Sequence, residues 1–435
     1  MRISIGVFGA ENEHINFLNS CGIIYRKIEC ETEFQNFSHI IFFGNKSKEK
    51  LRKKFISSLM SEDEQIDIFT WSKTLSGEVF SHKVINNITI ITCLIPTGLC
   101  KKTIVVRKGF FMEQKKLPSE EIPLLDKGGL QRFFLTKMRE LFHSQNLPFV
   151  VKSSSPDPEK IPFLFRIDTD FCGEKTVDNY CENIKFKPKI TCFIHAKFFK
   201  KEPTQSAVQP DEFALHCFSH KVKPTNENLQ NGIEVLKKLG KNPLGYSAPY
   251  GVRNEAADIF LKQNYGFEYS SDFSFAADAL PFFVEKTGLW QIPIFPICVG
   301  SFNGVCSDEE KITAVFERYF ERNFKYKIPF IIYDHPNHTK FDLLNKIFAA
   351  ANKYPILPMT FLEYCRFLQE RENAKVEIKI NESGKVETND NFPLTIFYPN
   401  ESKPNIKTFR IMRRISIRLI KNTIINRLRR RKHDR

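Results

Sequence analysis

The chain runs to 435 residues, 42% hydrophobic and 13% aromatic, with 65 Lys and Arg against 50 Asp and Glu for a formal net charge of +15. That length is more than one core usually organises, so two or more domains are expected, and the apolar content is ample for globular packing. Eleven cysteines, an odd number scattered without a compact framework, argue against a secreted disulfide scaffold and for a reducing compartment, so the expected address is the cytoplasm. From Asn405 onward twelve Lys and Arg face one acid, Asp434, so this tail carries +11 and the rest only +4. A body so nearly balanced gives no reason to expect a nucleic-acid partner.

The opening apolar run, Met1-Arg-Ile-Ser-Ile-Gly-Val-Phe8, is interrupted too soon by Glu11 and Glu13 to act as a signal peptide. No uncharged run approaches the length of a membrane span. Through residues 1 to about 150, short apolar runs near 3–8, 21–25, 39–44 and 88–92 alternate with polar stretches of helical composition, which predicts a small α/β domain. Gly6-Val-Phe-Gly9 falls short of a dinucleotide fingerprint. Cys100, before two lysines, has no histidine partner in the pattern, so no chemistry is assigned here. Lys152-Ser-Ser-Ser-Pro-Asp-Pro-Glu-Lys160 is rich in turn formers and reads as a linker.

Over 151–372 the pattern becomes strand then helix, repeated. Strands are predicted at 163–169, 189–194, 212–216, 244–248, 267–270, 290–295, 329–333 and 355–357, with helices near 176–186, 225–240, 253–264, 307–326, 340–352 and 360–372. Such alternation predicts a parallel (β/α) barrel, whose chemistry gathers at the carboxyl ends of the strands. Asp168, Asp170, His216, Pro249 and His335 all fall at such ends. Beyond them, 373–404 predicts a small β appendage and 405–435 a basic, helical tail.

Side chains two apart on a strand share a face, so Asp168 and Asp170 point with Arg166, away from Phe163, Phe165 and Ile167. Two carboxylates crowded together resist ionising unless a cation lies between them. His216-Cys-Phe-Ser-His220 spaces two imidazoles to project from one face of a helical turn. One aspartate with two histidines makes a divalent-metal site with positions left for water and substrate, and the other aspartate is left to act as a base. The expectation is a metal-dependent hydrolase, with Cys172 and Cys217 as buried, inert thiols rather than extra ligands.

With Ser247-Ala-Pro-Tyr250-Gly251 and Tyr333-Asp-His335-Pro336 following in order, residues from about 161 to 372 resemble the polysaccharide deacetylases, the NodB-homology or carbohydrate esterase 4 family. The resemblance implies a distorted (β/α) barrel of NodB-homology type and removal of an N-acyl group, foremost acetyl, from an amino sugar in a glycan or glycan precursor. It implies Asp168 as catalytic base and Asp170, His216 and His220 as ligands of a divalent metal, foremost Zn²⁺. The backbone N–H of Tyr250 would hold the oxyanion and His335 would protonate the leaving amine, with His338 as its competitor.

The departures are specific. Thr169 separates two aspartates that are adjacent in most members, the later motif Tyr269-Ser-Ser-Asp-Phe is only loosely matched, and Ser247 stands where the family has an arginine that orients the base. Arg166 and Arg253 are the candidates to replace that arginine. Two rival readings follow: a catalytically weakened NodB-like glycan-binding or scaffold protein, and a related hydrolase of non-sugar C–N bonds such as cyclic amides. Residues 408–431 are long enough as a helix to cross a bilayer, but six cations at its centre would cost on the order of 15 kcal/mol. An anionic membrane surface is therefore the expected partner of the tail, making the enzyme peripheral.

Overall fold

The computed structural model describes residues 2–8, 10–29, 33, 36–43, 80–85, 88–93, 105–107, 109–112, 115–117, 121–123, 126–186, 188–199, 210–221, 224–381, 385–389, 391–399 and 413–414. Gly9 and Cys100 lie outside the described residues, as does the tail apart from Arg413–Arg414. Those two residues form a strand antiparallel to Gly109–Met112, not the helix expected there.

The larger unit is a nine-stranded sheet. Its core strand, Ile161–Asp168, is buried along its whole length, as an apolar run covered on both faces should be. Ile190–His195, Glu212–Cys217, Gly245–Tyr246, Tyr269–Ser270 and Leu289–Gln291 follow in parallel on one side. Phe330–Asp334 and Ile356–Pro358 also pair in parallel with the core strand, while the edge strand Phe282–Val284 runs antiparallel. Among the described residues no ladder joins Leu289–Gln291 to Phe330–Asp334. The sheet is a curled, open barrel, its gap spanned by a hydrogen bond from the Phe295 N–H to the Ile331 carbonyl at 3.0 Å.

Helices Glu174–Asn183, Asn226–Lys238, Glu255–Tyr265, Glu309–Tyr326, Phe341–Ala351 and Phe361–Asn373 lie within three residues of their expected bounds. Their apolar residues recur at helical spacing, as Leu229, Ile233 and Leu236 do, and Thr225, Asp308 and Thr360 cap the N-termini of three of them. The edge strand Phe282–Val284 was not among the expected elements.

In the amino-terminal part, Arg26–Lys27, Ile5–Phe8, His39–Phe42, Ile88–Cys93 and Phe80–Ile85 form a five-stranded sheet in that order. Its Ile5, Val7, Ile41 and Ile91 share a core with Leu130, Phe134, Met138 and Phe142 of the Lys127–Ser144 helix. The appendage belongs to the same assembly. Ile378–Ile380 pairs with Arg2–Ile3, and Leu394–Phe397 pairs with Phe149–Lys152. The Ser153–Ser155 stretch read as a linker is buried, and the Ser153 N–H donates to the Pro393 carbonyl at 2.9 Å. Among the described residues no helix is long and apolar enough to cross a membrane.

Candidate metal centre and acid–base site

His216 sits at a register shift. Ile194 of the neighbouring strand pairs with Leu215, but His195 pairs with Cys217, so His216 is the extra residue of a bulge. Bulges re-aim side chains beside active sites. His220 lies four residues on in a loop, so the spacing is met by a bulge and a turn rather than by the helical turn expected. Asn228, on the Asn226–Lys238 helix, clamps that loop. Its Oδ1 accepts from the N–H groups of Phe218 and Ser219 at 3.0 and 3.3 Å, and its Nδ2 donates to the Ser219 carbonyl at 2.9 Å.

Three donor atoms converge. Asp170 Oδ1 is 3.1 Å from His216 Nε2 and 3.2 Å from His220 Nε2, and the two Nε2 atoms are 3.0 Å apart. These three residues form the group able to hold a metal ion among the described residues. Their chemistry fits a borderline divalent cation, which takes one carboxylate oxygen and two imidazole nitrogens readily. His216 Nδ1 donates to the Ser247 carbonyl at 2.7 Å, which leaves Nε2 as the nitrogen facing its partners.

Electrostatics point the same way. Burial alone would raise the Asp170 carboxyl, but His216 and then His220 and His335 hold it well below the usual carboxylate range. Burial would likewise lower His216, and Asp170 outweighs it and pushes the imidazole up. The pocket draws positive charge, and a metal ion competes with the proton for it.

Asp168 is held apart from this trio. Arg166, fully buried, donates from Nε and Nη2 to its two carboxylate oxygens, each at 2.6 Å. The guanidinium also donates from Nη1 to the Ser271 carbonyl at 2.8 Å and from Nη2 to Ser247 Oγ. Rings of Phe193 and Phe273 flank it at 4.5 and 5.4 Å. Of the two arginines proposed to replace the missing one, Arg166 reaches Asp168. Arg253 is committed elsewhere, its Nε 2.9 Å from Asp258.

His335 Nε2 is 3.6 Å from Asp170 Oδ2, and its Nδ1 is 3.2 Å from the Cys298 thiol. That thiol also lies 3.3 Å from Asp334 Oδ1, and burial followed by the Asp334 charge keeps it protonated. The His338 ring is 6.2 Å from that of His335 and outside the converging donors. Tyr250 adopts a left-handed backbone at φ 59° and packs edge-on to His220 at 4.5 Å. In the loosely matched later motif, Asp272 accepts from the Ala248 N–H at 2.7 Å, and burial pushes its carboxyl up to about 6. Neither cysteine joins the donors: burial pushes the Cys172 thiol up to about 11 and Cys217 higher still.

Four neighbours of the site were not singled out from the sequence. Asn228 and Cys298 act on it from distant segments. His195, buried, has its ring 5.6 Å from that of His220, and burial, with His216 and His220 after it, pushes its imidazole down to about 4. Phe198 stacks edge-on to His195 at 4.8 Å.

The sequence matches no family model and no curated relative. Among solved structures, a chain assigned as a polysaccharide deacetylase from Mycobacterium smegmatis is similar at 14% identity and TM-score 0.41, covering 52% of this chain and 95% of that one. Another so assigned, from Pseudomonas aeruginosa PAO1, is similar at 13% identity and TM-score 0.38, covering 50% and 95%. A mutant of a CE4-family pseudoenzyme with restored enzymatic activity is similar at 13% identity and TM-score 0.32, covering 48% and 72%.

Proposed function

We propose that this chain is a metal-dependent hydrolase that removes an N-acyl group, most simply acetyl, from an amino sugar in a glycan or glycan precursor. The observation that carries the reading is the meeting of Asp170 Oδ1, His216 Nε2 and His220 Nε2 within 3.2 Å of one another, beside an aspartate locked by a buried guanidinium. A divalent cation held by those three, Zn²⁺ being the natural fit, supplies charge that brings a water's pKa down to about 7 and polarises an acyl carbonyl.

The chain's own groups divide the remaining work. Asp168, oriented by Arg166, accepts the proton of the attacking water at a carboxylate oxygen. The Tyr250 N–H donates to the acyl oxygen as charge builds on it, an interaction of a kind that lowers a barrier by on the order of 3 kcal/mol. His335 holds a proton on Nε2 and passes it to the amine nitrogen as the C–N bond breaks. Acid and base each contribute roughly a hundred- to ten-thousandfold.

The surroundings favour a sugar. Phe171, Tyr250 and Phe198 are exposed by 60%, 42% and 37%. They ring the metal ligands: Phe171 lies 5.5 Å from His220 and 6.0 Å from Phe198 between ring centroids. Clustered aromatic faces left in water mark a binding surface, and their flat apolar area suits the C–H face of a pyranose. Against the weakened reading that Ser247 suggests, Arg166 supports an active site by holding Asp168 with two hydrogen bonds.

Purified protein is expected to hold about one equivalent of divalent cation and to release acetate from N-acetylhexosamine oligomers but not from cyclic amides. Asp170→Ala and His216→Ala are each expected to lose both the metal and the turnover. Acetate release unchanged in both variants would overturn the reading.

A further inference from the structure

We propose that a second cavity, far from the metal ligands, binds a small organic carboxylate with an apolar body. It lies where the Lys127–Ser144 helix, the paired strands Phe149–Lys152 and Leu394–Phe397, and the barrel meet, and its volume is about 340 Å³. No metal-site residue lines it. The volume sits at the low end of small-molecule sites, about 300–1,000 Å³, which suits a compact ligand better than a glycan chain.

Its wall is apolar where Leu135, Leu280, Ile328 and Phe397 meet, yet five Lys or Arg side chains line it against one acid, Glu140. The acid is already engaged, its Oε2 2.8 Å from Lys137 Nζ. Such a wall selects an anion that also has something to bury.

Arg371 fixes the headgroup position. It is 4% exposed, and its Nη2 donates to the Asn19 and Ser20 carbonyls at 3.1 and 3.0 Å. Those bonds cap the end of the Asn12–Ser20 helix, and they account for one nitrogen. The Nε, closed to solvent, has no hydrogen-bond partner, and among the described residues no carboxylate lies within ion-pair distance of the guanidinium. Burying a cation without a counter-charge is expensive. Burial indeed lowers its pKa more than any neighbour raises it. A carboxylate bound in the cavity would add charge beside a lining guanidinium for which burial outweighs the raising effect of Tyr364, Cys21 and Glu372.

The test is calorimetric titration of the full chain with octanoate, set against octanol, which lacks the charge, and inorganic phosphate, which lacks the apolar body. Octanoate is expected to bind on the order of tenfold or more tightly than either control, the worth of one charged hydrogen bond or of a buried tail. Arg371→Met is expected to weaken octanoate by a similar factor. Should that variant fail to fold, Thr136→Trp, on the half-buried cavity wall, blocks the space and leaves Arg371 in place. Both are expected to leave acetate release unchanged. No octanoate binding, binding matched by either control, or binding undiminished in Thr136→Trp overturns the proposal.

Discussion

Arg166 and Asp168 form a two-pronged pair shut away from water, and such a pair costs more to break than it gains by forming. Arg166→Met strands the carboxylate, so a loss of about 3–5 kcal/mol of stability is expected in denaturant melts, with kcat falling further than KM rises. The double change Arg166→Met/Ser247→Arg returns a guanidinium from the site that touches Arg166 in the native chain. It is expected to restore part of kcat, and a double variant no better than Arg166→Met would count against the positioning role. Phe171 makes the opposite trade. At φ 57° it holds a conformation costly for any residue but glycine, while its ring is largely in water. Phe171→Gly is expected to raise the melting temperature by relieving roughly 1 kcal/mol of strain and to raise KM for an oligosaccharide at unchanged kcat. An unaltered KM would remove the stacking role. The proton on His216 sets a third expectation. Its pKa is raised by Asp170, so the apo pair stabilises the fold fully below the unfolded value, and that contribution fades as pH rises through the folded one. Metal binding needs that proton gone, so affinity measured by chelator competition is expected to climb as pH rises past the ordinary histidine value of about 6.5; a flat profile would mean that His216 is no ligand. At this scale the sequence was informative where chemistry repeats locally: Asp168, Asp170, His216 and His220 stand out through spacing and residue type. It left Arg166 and Arg253 level, because only the fold reveals that Arg253 is spent on Asp258. Cys298 meets His335 across 37 residues, a contact without a local signature.

Among elements, the barrel was the legible part. Its strands are apolar runs bounded by turns, and each helix carries a stripe at helical spacing, so bounds fell within a few residues. The three-residue edge strand Phe282–Val284 was missed because it is too short for a pattern and pairs antiparallel to the rest. The helical turn expected of His216 and His220 failed for a related reason: spacing of four is compatible with a bulge followed by a loop, and it takes the pairing of His195 with Cys217 to tell them apart. What then fixes the loop is Asn228, reaching across from its helix with both amide ends. Asn228→Leu keeps the bulk and removes the clamp. Outer partners of metal ligands typically carry a 10- to 100-fold share of affinity, and a loss of about that size is expected in metal titration, with helix content by circular dichroism unchanged. Native affinity in this variant would show that the loop holds His220 without help.

Over the whole molecule, the ends of the chain do different jobs. Ile378, Ile380 and Phe397 are buried, at 6%, 5% and 8% exposure, on strands laddered to others laid down some 250 to 375 residues earlier. The sequence predicts a β appendage here but not its partners, since pairing over such distances is set by tertiary packing rather than by local pattern. At about 1.5–3 kcal/mol each, three such side chains amount to on the order of 5 to 9 kcal/mol, comparable with the stability of a domain. A chain ending at residue 373 is therefore expected to lose cooperative melting of its amino-terminal part. One ending at 404 keeps both appendage ladders and, among the described residues, gives up the short pairing of Arg413–Arg414 with Gly109–Met112, so it is expected to melt and turn over like the full chain. What it lacks is +11 of charge. Near an anionic bilayer each cation gains about 1 kcal/mol, enough in sum to draw the full chain to vesicles at low salt and to release it as salt screens the attraction. Sedimentation with phosphatidylserine vesicles is accordingly expected of the full chain and not of the 404-residue form. Equal sedimentation of the two would move the membrane contact off the tail and onto the folded body.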